Sequence, residues 1–428
     1  MDLAYYGDDL TGSTDVLESL ALAGIDVELF VDDPQHAPLP SRRVIGLAGL
    51  SRTYSPAEMD ARLPEAFAAL AATNPRFLHY KTCSTFDSSP TTGSIGRAIE
   101  IGRRVLPARW TPLVVAAPHL GRWCAFGNLF ARSGLDSPVY RLDRHPTMSR
   151  HPVTPMSEAD LRLVLARQTE LPVTLVDLPT LEQGDEATLA AVERAPDGVV
   201  LFDATTAAHL ATVGRTLDVM QRRMQAPLFV AGSSGIEAAL VAAGLFGASR
   251  DTERRESANG LPSGPLLVIS GSRSPVTARQ TEAALQAGFH DAAITASIDD
   301  ASHARLVASA TTANLAGQSV ILHPDEGDWT ALAGEALGRL LGQIAGRILD
   351  ATPIRRVVIA GGDTSGAVAR HLGVSSLRFI APLAPGAPWC RVTSTRPAVN
   401  GSAFAFKGGQ VGRDDFFVMA RDSGENHV

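Results

Sequence analysis

The sequence predicts an α/β protein made of two α/β domains with mostly parallel sheets and a ligand cleft between them. Three observations carry that prediction. Short apolar runs alternate with amphipathic helical segments, the signature of βαβ units. The alternation stops at residues 249–265 (SRDTERRESANGLPSGP), which are charged and then rich in Gly, Pro and Ser, and it restarts afterwards. The chain has 428 residues, 45% hydrophobic and 19% charged, enough for more than one core.

Taken in order, residues 2–6 (DLAYY) read as a strand and Gly7-Asp8-Asp9 as the start of a turn. A helix over 13–23 follows, with Val16, Leu17, Leu20 and Ala21 on one face. Strands are expected at 26–31 and 43–47, a helix at 56–73, a strand at 77–81, a helix at 94–105 and a strand at 112–117. The pattern continues with a strand at 173–176, a helix at 185–195, a strand at 198–203, a helix at 206–223 and a strand at 228–231. After the interruption come strands at 266–270, 292–298, 319–322 and 356–360, and helices at 275–288 and 330–349. The expected division is an N-terminal domain over 1–248, a linker over 249–265 and a C-terminal domain over 266–428. Residues 141–155 (RLDRHPTMSRHPVTP) are too polar and Pro-rich for regular structure, and a long loop of this kind inside a domain points to function.

Composition excludes several classes. Lys and Arg number 38 against 45 Asp and Glu, a net charge of −7, which argues against a nucleic-acid binder. No apolar run approaches the ~18 residues of a membrane span. Cys83, Cys124 and Cys390 are odd in number and form no CxxC pair, so neither a disulfide framework nor a structural zinc site is expected. The acidic opening MDLAYYGDDLTG has no basic signal-peptide region, and a cytoplasmic location is expected. The sequence leaves the oligomeric state open, a homodimer among the assemblies it allows.

Several motifs stand where strands end and helices begin, the place where open α/β sheets bind ligands. In Asp8-Asp9-Leu10-Thr11-Gly12-Ser13-Thr14-Asp15, the adjacent carboxylates can accept a hydroxyl proton, bind a metal or grip a polyol. Either could instead only cap the helix. Lys81-Thr82-Cys83-Ser84-Thr85 is dense in donors suited to a carboxylate or phosphate, and Arg52 is a second candidate anion clamp. Cys83 reads as a half-buried small side chain, since no Cys–His arrangement accompanies it. His145 and His151 lack a third ligand at sensible spacing, so they read as loop or lid residues rather than metal ligands.

In the C-terminal half, Ser270-Gly271-Ser272-Arg273-Ser274 opens a helix, and Ala360-Gly361-Gly362-Asp363-Thr364-Ser365-Gly366 opens another. Small residues at a helix start form a nest of N–H donors backed by the helix dipole, suited to phosphate. A further Gly-rich stretch, Lys407-Gly408-Gly409-Gln410-Val411-Gly412, lies downstream. The dinucleotide and P-loop fingerprints are both absent.

These motifs, with His151–Met156 (HPVTPM), Ala384–Trp389 (APGAPW) and Lys407–Phe417 (KGGQVGRDDFF), resemble in order and spacing the four-carbon acid sugar kinase family, over nearly the whole chain. The resemblance implies a sugar-acid site in the N-terminal domain, an ATP site in the C-terminal domain and Mg²⁺-assisted phosphoryl transfer. It implies that Asp8, Asp9, Arg52, Lys81, Ser84 and His151 contact the substrate. Ser272, Ser274, Gly361, Gly362, Asp363, Thr364, Ser365 and Gly408 would contact ATP. The chain departs from the family at its last loop, where a Lys-Ser-Gly-Asn-Phe-Gly-like run is replaced by residues 407–412, with a Ser and an Asn missing. YYGDDLTGSTDVLE and YRLDRHPTMSRHPVTPM resemble the branch acting on 3-oxo-isoapionate, giving its 4-phosphate, more than the branches acting on 3-oxo-tetronates or threonate.

The expected mechanism is positioning and charge neutralisation. Asp8 or Asp9 would take the proton of the terminal hydroxyl, and Arg52 and Lys81 would hold the substrate carboxylate. The loops at Ser270 and Gly361 would hold the triphosphate, and domain closure would exclude water. Two rivals of other classes remain from the residues alone: a metal-dependent phosphatase or hydrolase using the Asp pair, and a sugar-acid-binding sensor without turnover.

Overall fold

The computed structural model describes residues 1–31, 42–134, 137–151, 153–247, 260–295, 299–327, 329, 332 and 334–423. Residues 249–259 of the expected linker, 296–298 of an expected strand and Pro152 of the polar loop lie outside the described residues. The chain divides into two compact units. The first holds Met1–Asp8, Ser19–Val27 and Asp33–Arg250; the second holds Asp9–Glu18, Glu28–Asp32 and Asp251–Val428.

The N-terminal elements are β1 (Leu3–Gly7), α1 (Leu10–Leu22), β2 (Val27–Phe30), β3 (Val44–Ala48), α2 (Pro56–Ala71), β4 (Phe77–Lys81), α3 (Ile95–Val105) and β5 (Trp110–Val114). A small antiparallel sheet follows, of β6 (Arg122–Ala125), β7 (Asn128–Arg132) and β8 (Val139–Arg141). Then come α4 (Leu161–Leu165), β9 (Val173–Val176), α5 (Leu178–Glu182), α6 (Asp185–Arg194), β10 (Gly198–Phe202), α7 (Ala207–Met224), β11 (Leu228–Gly232) and α8 (Gly235–Ala242).

The first unit's main sheet runs β3-β1-β4-β11-β5-β10-β9, all parallel. Its central strands are buried along their length, which is why they read as continuous apolar runs rather than alternating ones. Phe67 of α2 binds sheet to helix: its ring centroid lies 5.6 Å from Tyr6, 5.8 Å from Tyr80 and 5.6 Å from Phe229. Ser55 and Glu58 start α2 with a reciprocal capping box. The register sets Gly7 beside Ala48 and Lys81, and Lys81 beside Gly232, so these strands end level with one another.

The second unit contains β12 (Leu266–Ser270), α9 (Pro275–Gln286), β13 (His290–Ile294), α10 (Asp300–Leu315), β14 (Val320–Pro324), α11 (Glu335–Ala351), β15 (Arg356–Ala360), α12 (Gly362–His371), β16 (Val374–Ala384), β17 (Ala387–Ser394), β18 (Ala403–Lys407) and α13 (Phe416–Asp422). Its strand order is β13-β14-β12-β15-β18-β17-β16-β2. The part from β13 to β18 is parallel, and β17, β16 and β2 extend it antiparallel. Leu266, Val268, Ile321, Val358, Trp389, Phe416 and Phe417 are among the residues of its core.

Mostly parallel sheets are present as expected. The antiparallel β6–β8 sheet and the long β16–β17 hairpin are not among the expected elements, nor are α8 and α10. Within the polar stretch, 3₁₀ turns form at Leu142–Arg144 and Met148–Arg150. No helix among the described residues is long and apolar enough to cross a membrane.

Candidate active site

Two clusters of the expected residues stand at strand ends, one in each unit. In the first unit Asp8 follows β1, and its backbone N–H donates to the Lys81 carbonyl at 2.9 Å. Arg52 grips the Asp8 carboxylate through both oxygens, Nε donating to Oδ2 at 3.1 Å and Nη2 to Oδ1 at 2.8 Å. The Cys83 backbone N–H donates to Oδ2 at 3.2 Å. Asp8 is thus a buried carboxylate held by at least three donors, while the Arg52 side chain keeps 21% exposure. Lys81 is buried, and its Nζ donates to the Thr82 carbonyl at 3.0 Å.

Thr85 Oγ1 donates to Asp87 Oδ1 at 2.7 Å and lies 3.0 Å from Cys83 Sγ. Desolvation, with Asp87 nearby, pushes the Cys83 thiol up to about 11, so it is no thiolate near neutrality. Ser84 is half-buried beside it. The structure therefore gathers Asp8, Arg52, Lys81 and the 82–87 turn. His151 lies in the polar loop, its Nδ1 accepting from the Thr154 N–H and facing the Thr154 hydroxyl, each at 3.1 Å. His145 is buried and its Nδ1 accepts from the N–H groups of Thr147 and Met148. Burial holds it below the usual histidine range. Among the described residues no group of three or more His, Cys, Asp or Glu is arranged to hold a metal ion.

In the second unit β12, β15 and β18 lie side by side, with Ser270 opposite Ala360 and Ala360 opposite Lys407. The three loops that follow them therefore start level. The Gly271 N–H donates to the Ala360 carbonyl at 2.9 Å, and the Gly361 N–H to the Lys407 carbonyl at 3.0 Å. Gly361 has φ +126°, and a Cβ there would lie 3.2 Å from the Ser272 backbone nitrogen. Gly409 meets the first loop from the other side: a Cβ on it would fall 2.6 Å from Ser272 Oγ. Backbone conformation favours glycine at 361, and close approach favours it at 409.

Behind these loops begin two helices of more than two turns, α9 and α12. Their first N–H groups and dipoles suit an anion. Ser274 caps α9, its Oγ accepting from Val276 N–H and Thr277 N–H and donating to the Gly409 carbonyl at 2.6 Å. Ser365 Oγ donates to the Gly361 carbonyl at 2.6 Å. The expected nucleotide residues Ser272, Ser274, Gly361, Gly362, Thr364, Ser365 and Gly408 all belong to this junction of loops, while the side chain of the expected Asp363 lies outside what the structure describes.

Asp9, which belongs to the second unit, caps α1. Its Oδ1 accepts from Gly12 N–H at 2.6 Å and its Oδ2 from Thr11 Oγ1 at 2.7 Å. The same Oδ2 lies 3.7 Å from the position of a Cβ on Gly362. Capping and a place beside the Gly361–Ser365 loop coexist. Sequence reasoning missed Thr277 and Gln280, which join Ser274 in bonding the 408–413 loop. Their only signal is the i, i+3, i+6 spacing of polar residues on a predicted helix.

Comparison with known proteins agrees with this layout. Residues 3–240 match the sugar-binding N-terminal domain, and residues 267–417 the nucleotide-binding C-terminal domain. A 3-oxo-isoapionate kinase of Paraburkholderia graminis is 45% identical over 448 aligned positions, covering 98% of this chain and 94% of that protein. A 3-oxo-tetronate kinase of Pseudomonas fluorescens is 32% identical, with 98% and 96% covered. One of Methylobacterium radiotolerans is 30% identical, with 98% of each covered. Two crystal structures share the fold at low identity. A Salmonella typhimurium LT2 protein has a TM-score of 0.79 at 23% identity, covering 99% of both chains. A Haemophilus influenzae protein has 0.72 at 22%, covering 98% of this chain and 100% of that one. Matched across both of its domains, the chain belongs to the four-carbon acid sugar kinase family.

Proposed function

We propose that this protein is a sugar-acid kinase that moves the γ-phosphoryl group of ATP to the terminal hydroxyl of 3-oxo-isoapionate, giving the 4-phosphate. The observation that carries the reading is the level junction of the Ser270, Gly361 and Gly408 loops with the Asp9 carboxylate beside Gly362. The identity to a 3-oxo-isoapionate kinase, 45% against 30–32% for 3-oxo-tetronate kinases of two other organisms, favours the branched acid. In this reading residues 1–248 carry the acid site, 266–428 carry the nucleotide site, and 249–265 link them.

The residues divide the work as follows. N–H groups and hydroxyls of the loops at Ser272–Ser274, Gly361–Ser365 and Gly408 hold the triphosphate. Lys81, with Ser84 and the Asp8–Arg52 pair, lines the acid site and neutralises the substrate carboxylate. Asp9 accepts the proton of the attacking hydroxyl as its oxygen bonds phosphorus and the bond from phosphorus to the ADP oxygen breaks. Mg²⁺, held mainly by phosphate oxygens and water as is usual for this ion, would neutralise charge on the triphosphate.

The test is ATP consumption with Mg²⁺ and a panel of 3-oxo-isoapionate, 3-oxo-tetronates, D- and L-threonate and D-erythronate. Fast turnover confined to 3-oxo-isoapionate is expected. Preference for a 3-oxo-tetronate would move the substrate to the neighbouring branch. Phosphate release without a sugar acid would favour the hydrolase reading, and acid binding without turnover the sensor reading.

A further inference from the structure

The last Gly-rich loop differs from the family pattern, yet it is firmly held. With Gly408, Gly409 and Gly412 in six residues, and Gly412 at φ +86°, it has little intrinsic rigidity. One face of α9 supplies the rigidity instead. Ser274 Oγ and Thr277 Oγ1 both donate to the Gly409 carbonyl, at 2.6 and 2.9 Å. One turn on, Gln280 Nε2 donates to the carbonyls of Val411 and Arg413 at 3.0 and 2.8 Å.

Behind Thr277 stands Lys407, fully buried, its Nζ donating to Thr277 Oγ1 at 3.1 Å. The ammonium also lies 5.7 and 5.8 Å from the ring centroids of Phe416 and Phe417. An ammonium can only donate. The Thr277 oxygen must therefore accept from Lys407, and its own proton must go to Gly409. The Gly409 carbonyl can only accept, so the direction of the chain Lys407 to Thr277 to Gly409 is fixed at its last member as well. A trans peptide then points the Gln410 N–H away from the pinned Gly409 carbonyl.

We propose that Thr277, Gln280 and Lys407 are positioning residues that clamp the 408–413 loop in its nucleotide-holding shape, replacing the side chains this loop lacks. The inference rests on the nucleotide-site reading above. None of the three is required to touch the nucleotide.

The experiment compares wild type, Thr277→Val, Thr277→Ser and Lys407→Met. It measures ADP affinity by calorimetry, KM for ATP and for 3-oxo-isoapionate by turnover, and thermal melting. Valine keeps the shape of threonine without its hydroxyl. Thr277→Val is expected to weaken ADP binding about tenfold and raise KM for ATP similarly, the scale of one or two lost hydrogen bonds. KM for the sugar acid should stay within about twofold, and Thr277→Ser should restore ADP binding. Lys407→Met should weaken ADP in the same direction. A folded Thr277→Val protein with wild-type ADP affinity overturns the proposal, as does an equal rise in both KM values. If Thr277→Val does not fold, the ADP affinity of Lys407→Met decides by the same criterion. Wild type that fails to bind ADP overturns the nucleotide-site reading itself, a distinct result from a wild type that binds and variants that bind as well.

Discussion

The carboxylate of Asp9 lies 3.7 Å from where a β-carbon on Gly362 would stand, while it caps α1 through Gly12. Its neighbour Asp8 is pinned by Arg52 and the Cys83 N–H. A general base needs a lone pair facing its proton donor, and a carboxylate gripped on both oxygens by a guanidinium is a poor one. On the proposed reading the two acids therefore take different roles, since Asp9 accepts from the neutral Gly12 N–H and Thr11 hydroxyl rather than from a guanidinium. Asp9→Asn should lower kcat by about 10²- to 10⁴-fold with little change in KM for ATP, the range of a lost general base. Steady-state kinetics with both substrates varied checks this, and near wild-type turnover would remove Asp9 from that role.

Arg52 and Asp8 also make a stability prediction. Arg52→Ala leaves a buried carboxylate without its guanidinium, and breaking such a pair from one side costs about 3 kcal/mol or more. A clear fall in Tm is expected, together with a raised KM for the sugar acid. Arg52→Lys should recover only part of either, because an ammonium cannot make the two parallel bonds to Oδ1 and Oδ2. Thermal melts of both variants, beside their kinetics, check the pair.

Much of this was legible in the chain. Leu3–Gly7, Phe77–Lys81, Leu266–Ser270 and Arg356–Ala360 are short apolar runs bounded by turn residues, and each is a buried parallel strand. The motifs at their ends stood out because small and charged residues cluster where a strand gives way to a helix. The β16–β17 hairpin was hidden for a physical reason. Its tip, Pro385-Gly386, is a turn signal, but Arg378 and Arg391 interrupt its apolar pattern and it joins the sheet antiparallel. Helix α10 lacks a sustained apolar face, since only Val307, Ala310 and Asn314 are buried in it. The bond from Lys407 to Thr277 spans 130 residues of sequence, a separation no local spacing can report.

Gly409 offers a steric test of the loop junction. A β-carbon there would stand 2.6 Å from Ser272 Oγ, closer than such atoms approach one another, and at a tight 3.2 Å from Ser274 Cβ. Ser274 cannot move aside without losing its cap on α9 and its bond to Gly409. Gly409→Ala should therefore push the last loop off the first. KM for ATP should rise about tenfold or more, while melting temperature falls by only a few degrees, as for overpacking at about 1 kcal/mol. Gly408→Ala, whose β-carbon would meet Val411 at 3.4 Å, should be milder.

Two buried groups of the second unit predict opposite pH slopes of stability. Burial raises Glu18 from 4.5 to about 7, opposed by the Gly386 N–H it accepts at 2.7 Å and reinforced by Asp15. Between 4.5 and about 7 the native state binds more protons at this site than the unfolded chain, so stability falls as pH rises through that window. Burial lowers Lys407 from 10.5 to about 7. Between about 7 and 10.5 the unfolded chain binds more protons there, so stability falls as pH drops through that window. Together the two groups place a shallow minimum near neutrality. Glu18→Gln should flatten the acid side of a plot of Tm against pH and leave the alkaline side intact. Lys407→Met should do the reverse, and parallel curves for wild type and either variant would refute the assignment of that slope.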